Sequence, residues 1–564
     1  MPASVLRRPA WRSGWLVVAA VVAATTALVA WFYLLDVHAN GPVVNSDGAT
    51  VVLEGHAIAS GNVLLHGWIL SLDSWWSLDA AWNALGVALV GIRPVLLFGI
   101  PAVICALTVV VGAALASSGY RRGAAAAAVA VVVTLLALPA HAMVTMWLVN
   151  PSHQSTALVA LVAFAGASRG RWGWPWAVAV AAMTVGLLGD LETVAYSVVP
   201  VALAGVAAAL RRRRWAAGTP ALTAAAASVL LAAAVREVTA HLGAFALGPT
   251  NPHAPLNQMR LNALDVPGGI AQLLGVGTSA FGPSGVPSDV EAFHVAGLVA
   301  VAVAVVAAAV LMVRGVLGRE AGRSRLLRPD PTGRDEAWRL DDMLLIASTG
   351  PVVTYLVQAL VISPAYLRYL TASVVFAAVL AGRMLARFLH RRAEREVRGL
   401  ATRRRGAAAA RAVALVAGVA VVAAFATGGA MQAAQPSEAQ TAAGLVSFLE
   451  AHHLHSGVGD YWSASITTVE SSGHVKVRPV VEAPDGRLAA YDKGPQRAWL
   501  SGVPVRFVVF HAPVGYNGVS VASSTATWGP PAHTYRVGNY EVVVWRHSHH
   551  VHLFEPIRGY RSPG

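Results

Sequence analysis

Long apolar runs separated by clusters of arginine constrain this chain more than any other feature. Uncharged or nearly uncharged stretches fall at about 14–35, 94–117, 123–140, 153–168, 174–189, 191–210, 217–240, 294–313, 342–362, 369–387 and 409–428. Most approach the length a helix needs to cross the roughly 30 Å apolar core of a bilayer. Basic residues gather between them: Arg121 and Arg122, Arg169 and Arg171, Arg211 to Arg214, and the segments 314–339 and 387–411. If Arg7, Arg8 and Arg12 lie inside, every one of these groups falls on an inside loop. Arginine resists translocation, so this alternation sets an orientation as well as a class. The expectation is a mainly α, polytopic membrane protein of about eleven transmembrane helices in the plasma membrane, its N-terminus cytoplasmic.

The composition agrees. Charged residues make up 12% of the 564, about half the roughly 25% of soluble proteins. The net charge of +14 is placed as inside loops and not as a phosphate-tracking groove, which argues against nucleic acid. Lys476 and Lys493 are the only lysines, and Cys105 is the only cysteine, which excludes an intrachain disulfide and a cysteine metal cluster.

Two domains follow. Residues 1–430 form the multi-pass part, with a long first outside loop at 36–92 that holds no Lys or Arg but carries Asp36, Asp47, Glu54, Asp73 and Asp79. Val51 to Ile58 and the tryptophan-rich stretch with Trp68, Trp75, Trp76 and Trp82 read as short interfacial helices. The second long loop, about 241–292, is rich in Gly, Pro and Asn and reads as irregular. Residues 431–564 read as a small extracytoplasmic α/β domain: a helix at 437–454, strands at Val475 to Val481, Val505 to Phe510 and Tyr540 to Trp545, and a disordered His-rich tail.

Chemistry concentrates in the first loop, since a 57-residue connection is far longer than a structural link requires. It contains Asn45-Ser46-Asp47-Gly48, then Glu54, the run from Ala59 to Trp68 with the small turn Ser60-Gly61-Asn62, and Asp73. This layout resembles the GT-C fold glycosyltransferases, such as the protein mannosyltransferases and the lipid A aminoarabinose transferase, which place an Asp shortly after the first helix. The resemblance implies a membrane enzyme that takes sugar from a polyprenyl-phosphate donor, with Asp47 as the base. The chain departs from that pattern at Gly48, where a second acid often stands, and between His141 and His153, where no Asp-x-Asp occurs.

Transfer with inversion requires a base on the acceptor hydroxyl, opposite the leaving phosphate. Asp47 suits that role, though Asn-Ser-Asp-Gly is also ordinary turn chemistry. The phosphate requires a cation. Four arginines of the membrane part break the inside rule: Arg93, Arg236, Arg260 and Arg368. Arg368, with Tyr369 at a helix start, is placed for a lipid-linked phosphate. Arg236 reads as a phosphate ligand or as the partner of a carboxylate near Glu237, and Arg93 as a snorkelling anchor. Asp73 is a helix N-cap, the partner of an arginine, or part of the site. Glu54 and His56 line the cleft or a surface face. Asp190 and Glu192 sit in a short outside turn as functional acids, or with Asp190 starting a helix, and His153 heads Gln154-Ser155-Thr156 at the cleft, caps a helix or is an interfacial side chain.

The histidines, including His547, His549, His550 and His552, do not form a ligand set, so no cofactor follows from the sequence and a divalent metal stays open. Aromatic residues beside Asp460 suit a sugar face. The expected function is transfer of a sugar from a polyprenyl-phosphate donor to an envelope glycan or protein acceptor. The alternatives are a transporter or flippase for lipid-linked glycans and a non-catalytic envelope assembly protein.

Overall fold

Backbone groups in a bilayer have no water to bond, so apolar runs satisfy them within helices. The computed structural model describes residues 21–31, 33–35, 46–71, 73–138, 140–148, 153–248, 253–279, 282–283, 288–317, 334–359, 364–398, 442–491, 494 and 501–552. Among these, six helices are long and apolar enough to cross a membrane: Leu96–Ser117, Val194–Arg212, Thr219–His241, His294–Val316, Glu336–Val357 and Arg368–Ala393. Arg122–Ala137 and Ala142–Leu148 form a pair bent by 78°, and Val21–Leu35, Gln154–Ala167 and Trp174–Gly189 are shorter apolar helices. The chain is a multi-pass membrane protein with a small C-terminal sheet region. The expected span at 409–428 lies outside the described residues.

The bundle has two chemically opposite ends. Arg383 is fully buried on the helix Arg368–Arg398. Its Nε donates to Asp341 Oδ1 at 2.5 Å and its Nη1 to the Leu115 carbonyl at 2.7 Å. Arg387 donates to Asp341 Oδ2 at 2.9 Å, and Arg211 grips Asp342 with both terminal nitrogens. This network ties four helices at the arginine-rich end. Arg368 lies fifteen residues earlier on the same helix, about 22 Å away at the helical rise. There it joins the chain segments that carry Asp47, Asp190 and Glu192.

The second long loop is more ordered than its composition suggested. It holds the helix Leu256–Leu273, with Pro267 inside. Buried Asn262 on this helix reaches the carbonyls of Tyr355, Leu356 and Gln358 at 3.0–3.2 Å. Carbonyls at a helix C-terminus lack intrahelical partners, so this side chain meets a real need. The turn signals marked the ends of the segment and concealed its middle.

In the tail, β1 (Ser456–Gly459), β2 (Lys476–Glu482), β3 (Leu488–Ala490), β4 (Ser501–His511), β5 (His533–Val537) and β6 (Tyr540–His552) form one sheet. Its order is β3-β2-β1-β4-β6-β5, with β1 parallel to both β2 and β4 and the outer pairs antiparallel. Side chains alternate between two buried faces: Val508 and Phe510 join Val458 and Val543 on one, Phe507 and Val509 join Val477 and Val542 on the other. Burial on both faces gives the near-continuous apolar run Val505 to Phe510. The helix Ala443–Ala451 occupies part of the expected 437–454 segment. β6 extends past Trp545 through His547 and His549 to His552, so this part of the His-rich tract is strand paired to β4 and not a disordered stub. Residues 553–564 lie outside the described set.

The helix Tyr461–Glu470, which crosses from β1 to β2, lies against the first-loop helix Ser46–Ala59. Ile466 and Val469 share one apolar cluster with Ala49, Val52, Leu53, Leu65 and Trp68. Thr50 Oγ1 donates to Ser465 Oγ at 2.9 Å within that contact. The first loop is therefore a packed layer between the bundle and the sheet domain, with Val52, Leu53 and Trp68 in the core, while Leu85, Leu89 and Val90 of the helix Asp79–Val90 stay exposed.

Candidate active site

Asp47 stands in the first turn of the helix Ser46–Ala59, where the amide dipoles favour a carboxylate. Its side chain retains 15% exposure. Oδ1 accepts the Tyr461 hydroxyl at 2.5 Å, and Oδ2 stands 3.5 Å from Arg368 Nη1. The three residues come from the first loop, the C-terminal sheet region and the last described bundle helix. Burial, followed by the charge of Asp47 and then Tyr491, raises the Tyr461 phenol well above its ordinary range. It therefore stays protonated and donates.

Arg368 begins its helix directly after the turn Pro364–Leu367. The guanidinium lies 5.5 Å from the Tyr366 ring centre and 5.2 Å from that of Tyr369, and the two rings stack at 6.0 Å. Aromatic faces hold a guanidinium without removing its charge. Its planar fork carries five N–H donors, and Tyr369 is a hydrogen-bond partner beside Asp47.

A second acidic group adjoins the first through Tyr369, which is within electrostatic reach of Arg368, Glu192 and Asp73. Asp190 is fully buried; its Oδ1 accepts the Glu192 amide at 2.8 Å and its Oδ2 accepts the Thr156 hydroxyl. Burial, then Asp73 and Glu192, raises the Asp190 carboxyl well above the usual range against the pull of those hydrogen bonds. Asp190 thus holds the short turn before the next helix from a buried position beside other acids. Arg236 donates to the Leu187 carbonyl at 2.6 Å and has Asp73 as its acidic neighbour. Glu237 instead faces His241 at 3.1 Å on the exposed side, so the carboxylate expected beside Arg236 is Asp73. Asp73 does not cap a helix, since the following helix Asp79–Val90 begins after Leu78.

Glu54 departs most from expectation. The surface-facing alternative fails, because it is 1% exposed. A Cβ on Gly55 would meet the Asn83 and Ala84 backbone at 2.7 Å, so the helices Ser46–Ala59 and Asp79–Val90 touch here and enclose Glu54. Burial, then Asp79 and Asp47, raises its carboxyl well above the usual range. Ser155 donates to Asp79 Oδ1 at 2.9 Å, so the segment after His153 does reach the acids.

Other expected residues fall elsewhere. His56, Arg93 and Arg260 are exposed. The side chains of His141 and His153 lie outside the described set. Among the described residues no three His, Cys, Asp or Glu side chains converge as a metal would require.

The structure adds residues the sequence reading did not connect to Asp47. Tyr461, Tyr491 and Tyr516 cluster with ring centres 5.0 and 6.4 Å from that of Tyr461. The only signal in the sequence was the aromatic pair after Asp460, and nothing there says which loop the domain rests on.

No family model matches the sequence, and no curated protein matches it. Among solved structures the chain is similar in fold, with 13% identity and a TM-score of 0.46, to ArnT from Cupriavidus metallidurans bound to undecaprenyl phosphate, over 94% of this chain and 98% of that one.

Proposed function

We propose that this protein is an inverting membrane glycosyltransferase that moves a sugar from a polyprenyl-phosphate donor to an envelope acceptor. One observation carries the reading. A carboxylate, Asp47, and a guanidinium, Arg368, face each other at 3.5 Å at the end of the bundle opposite the buried arginine network.

In the proposed step the Asp47–Arg368 pair parts to admit the sugar phosphate between the two side chains, and the acceptor hydroxyl gives its proton to Asp47 as its oxygen attacks the anomeric carbon. The bond from that carbon to the phosphate oxygen breaks, and the electron pair leaves with the phosphate. Arg368 receives the charge that develops there, an interaction that strengthens towards the transition state and so accelerates transfer. Tyr461 holds the orientation of the Asp47 carboxylate. The stacked rings of Tyr366 and Tyr369 keep the guanidinium in place. Positive residues favour the cytoplasm, which puts Arg211 to Arg214 inside and Asp47, Arg368 and the sheet domain outside.

The test is transfer in proteoliposomes with a labelled short-chain polyprenyl-phosphate sugar and a mixed pool of envelope glycans and peptides. Label leaving the lipid for a water-soluble product supports the reading. Intact lipid-linked sugar moving across the bilayer would replace it with a transporter.

A further inference from the structure

Asp460 is fully buried, and its two carboxylate oxygens hold two different pieces of backbone. Oδ1 accepts the Ser463 amide at 2.9 Å, capping the helix that begins with Tyr461 and Trp462. Oδ2 accepts the Tyr516 amide at 2.9 Å. A Cβ on Gly515 would stand 2.7 Å from Oδ2, so only glycine lets that loop come so close. Asn517 then turns the chain away at φ 56°. One carboxylate therefore fixes the mutual position of Trp462 and Tyr516.

These rings remain open to solvent. Trp462 is 37% and Tyr516 38% exposed, with ring centres 5.9 Å apart in an edge-to-face arrangement. Trp462 follows Tyr461, which donates to Asp47, and Tyr516 is within electrostatic reach of both Asp47 and Tyr366. We infer that Trp462 and Tyr516 form a sugar-binding platform at which the soluble domain presents a glycan acceptor to Asp47. This deepens the proposed transferase reading and rests on it for the word acceptor.

The chemistry favours a sugar ring over a lipid or a peptide. A sugar has one face of C–H bonds that packs on an aromatic ring and a rim of hydroxyls that stays wet. A rigid, half-exposed aromatic pair with polar groups at its edge complements both. A platform fixed before binding also loses little entropy when a ligand arrives.

The test measures binding to the full-length protein in nanodiscs. Saturation-transfer NMR would use methyl mannopyranoside, methyl galactopyranoside and methyl arabinofuranoside, with a serine- and threonine-containing peptide as the rival probe. The expected result is saturation of ring C–H protons on at least one glycoside. The double variant Trp462→Ala/Tyr516→Ala should weaken that affinity about tenfold, while Trp462→Phe keeps most of it. Absence of glycoside binding, equal binding by the double variant, or peptide binding in its place would overturn the platform. Glycosides that bind to a wild-type chain with no transfer activity would sink the transferase reading and leave the platform standing.

Discussion

Tyr461 donates its hydroxyl to Asp47 at 2.5 Å across 414 residues of sequence, joining the soluble domain to the first loop at the proposed reaction centre. The domain therefore touches the first loop at the carboxylate proposed as the base. A hydrogen bond to a charged group contributes about 1.5–3 kcal/mol. Tyr461→Phe removes the donor and keeps the ring that packs on Tyr491. The expected outcome is a drop in kcat of about tenfold or more, with a melting temperature lowered by no more than a few degrees. Wild-type turnover in this variant would show that Asp47 needs no such orientation.

Glu54 gives a pH-dependent stability. Its folded carboxyl titrates above its unfolded value because burial and the neighbouring Asp79 and Asp47 oppose ionisation. A raised acid favours the fold fully below the unfolded value near pH 4 and loses that contribution as pH rises towards the folded value. Glu54→Gln resembles the protonated acid at every pH. The variant should therefore melt with the wild type near pH 4 and above it at pH 8. Equal melting at both pH values would place Glu54 in a more solvated setting.

The buried network at the arginine-rich end should be structural. Asp341→Ala leaves Arg383 buried without its carboxylate, and breaking such a pair from one side costs about 3–5 kcal/mol. Asp341→Leu with Arg383→Met and Arg387→Met removes all three charges that meet there and should recover most of that loss. Thermal unfolding in detergent measures both. If the single variant melted like the wild type, the network would not be holding the helices.

Much of this architecture was legible in the sequence because its causes are local. Apolar length and arginine placement mark the membrane helices, and Val-rich runs mark β2 and β4. Arg368 stood out as an arginine that breaks the inside rule, and Asp47 by its place in a long loop free of basic residues. The remainder depends on distant packing. Glu54 looks like a surface residue until Gly55 brings a second helix against its own. The helix Leu256–Leu273 is masked by the Pro and Gly around it. Tyr461 cannot be assigned to Asp47 without knowing where the domain docks, and that is fixed by the apolar contact of Ile466 and Val469 with Val52 and Leu53.

The most direct test of the central claim is turnover by Asp47→Asn in proteoliposomes, with a labelled polyprenyl-phosphate sugar as donor and Arg368→Ala alongside. Asparagine keeps the shape of the side chain and removes its capacity to take a proton. The account predicts a loss of about 10²–10⁴ in kcat with donor binding retained. Arg368→Ala should raise the donor KM and lower kcat together, because the phosphate loses its charge-assisted contact in both ground and transition states. Full transfer by Asp47→Asn would contradict the assignment of Asp47 as the base.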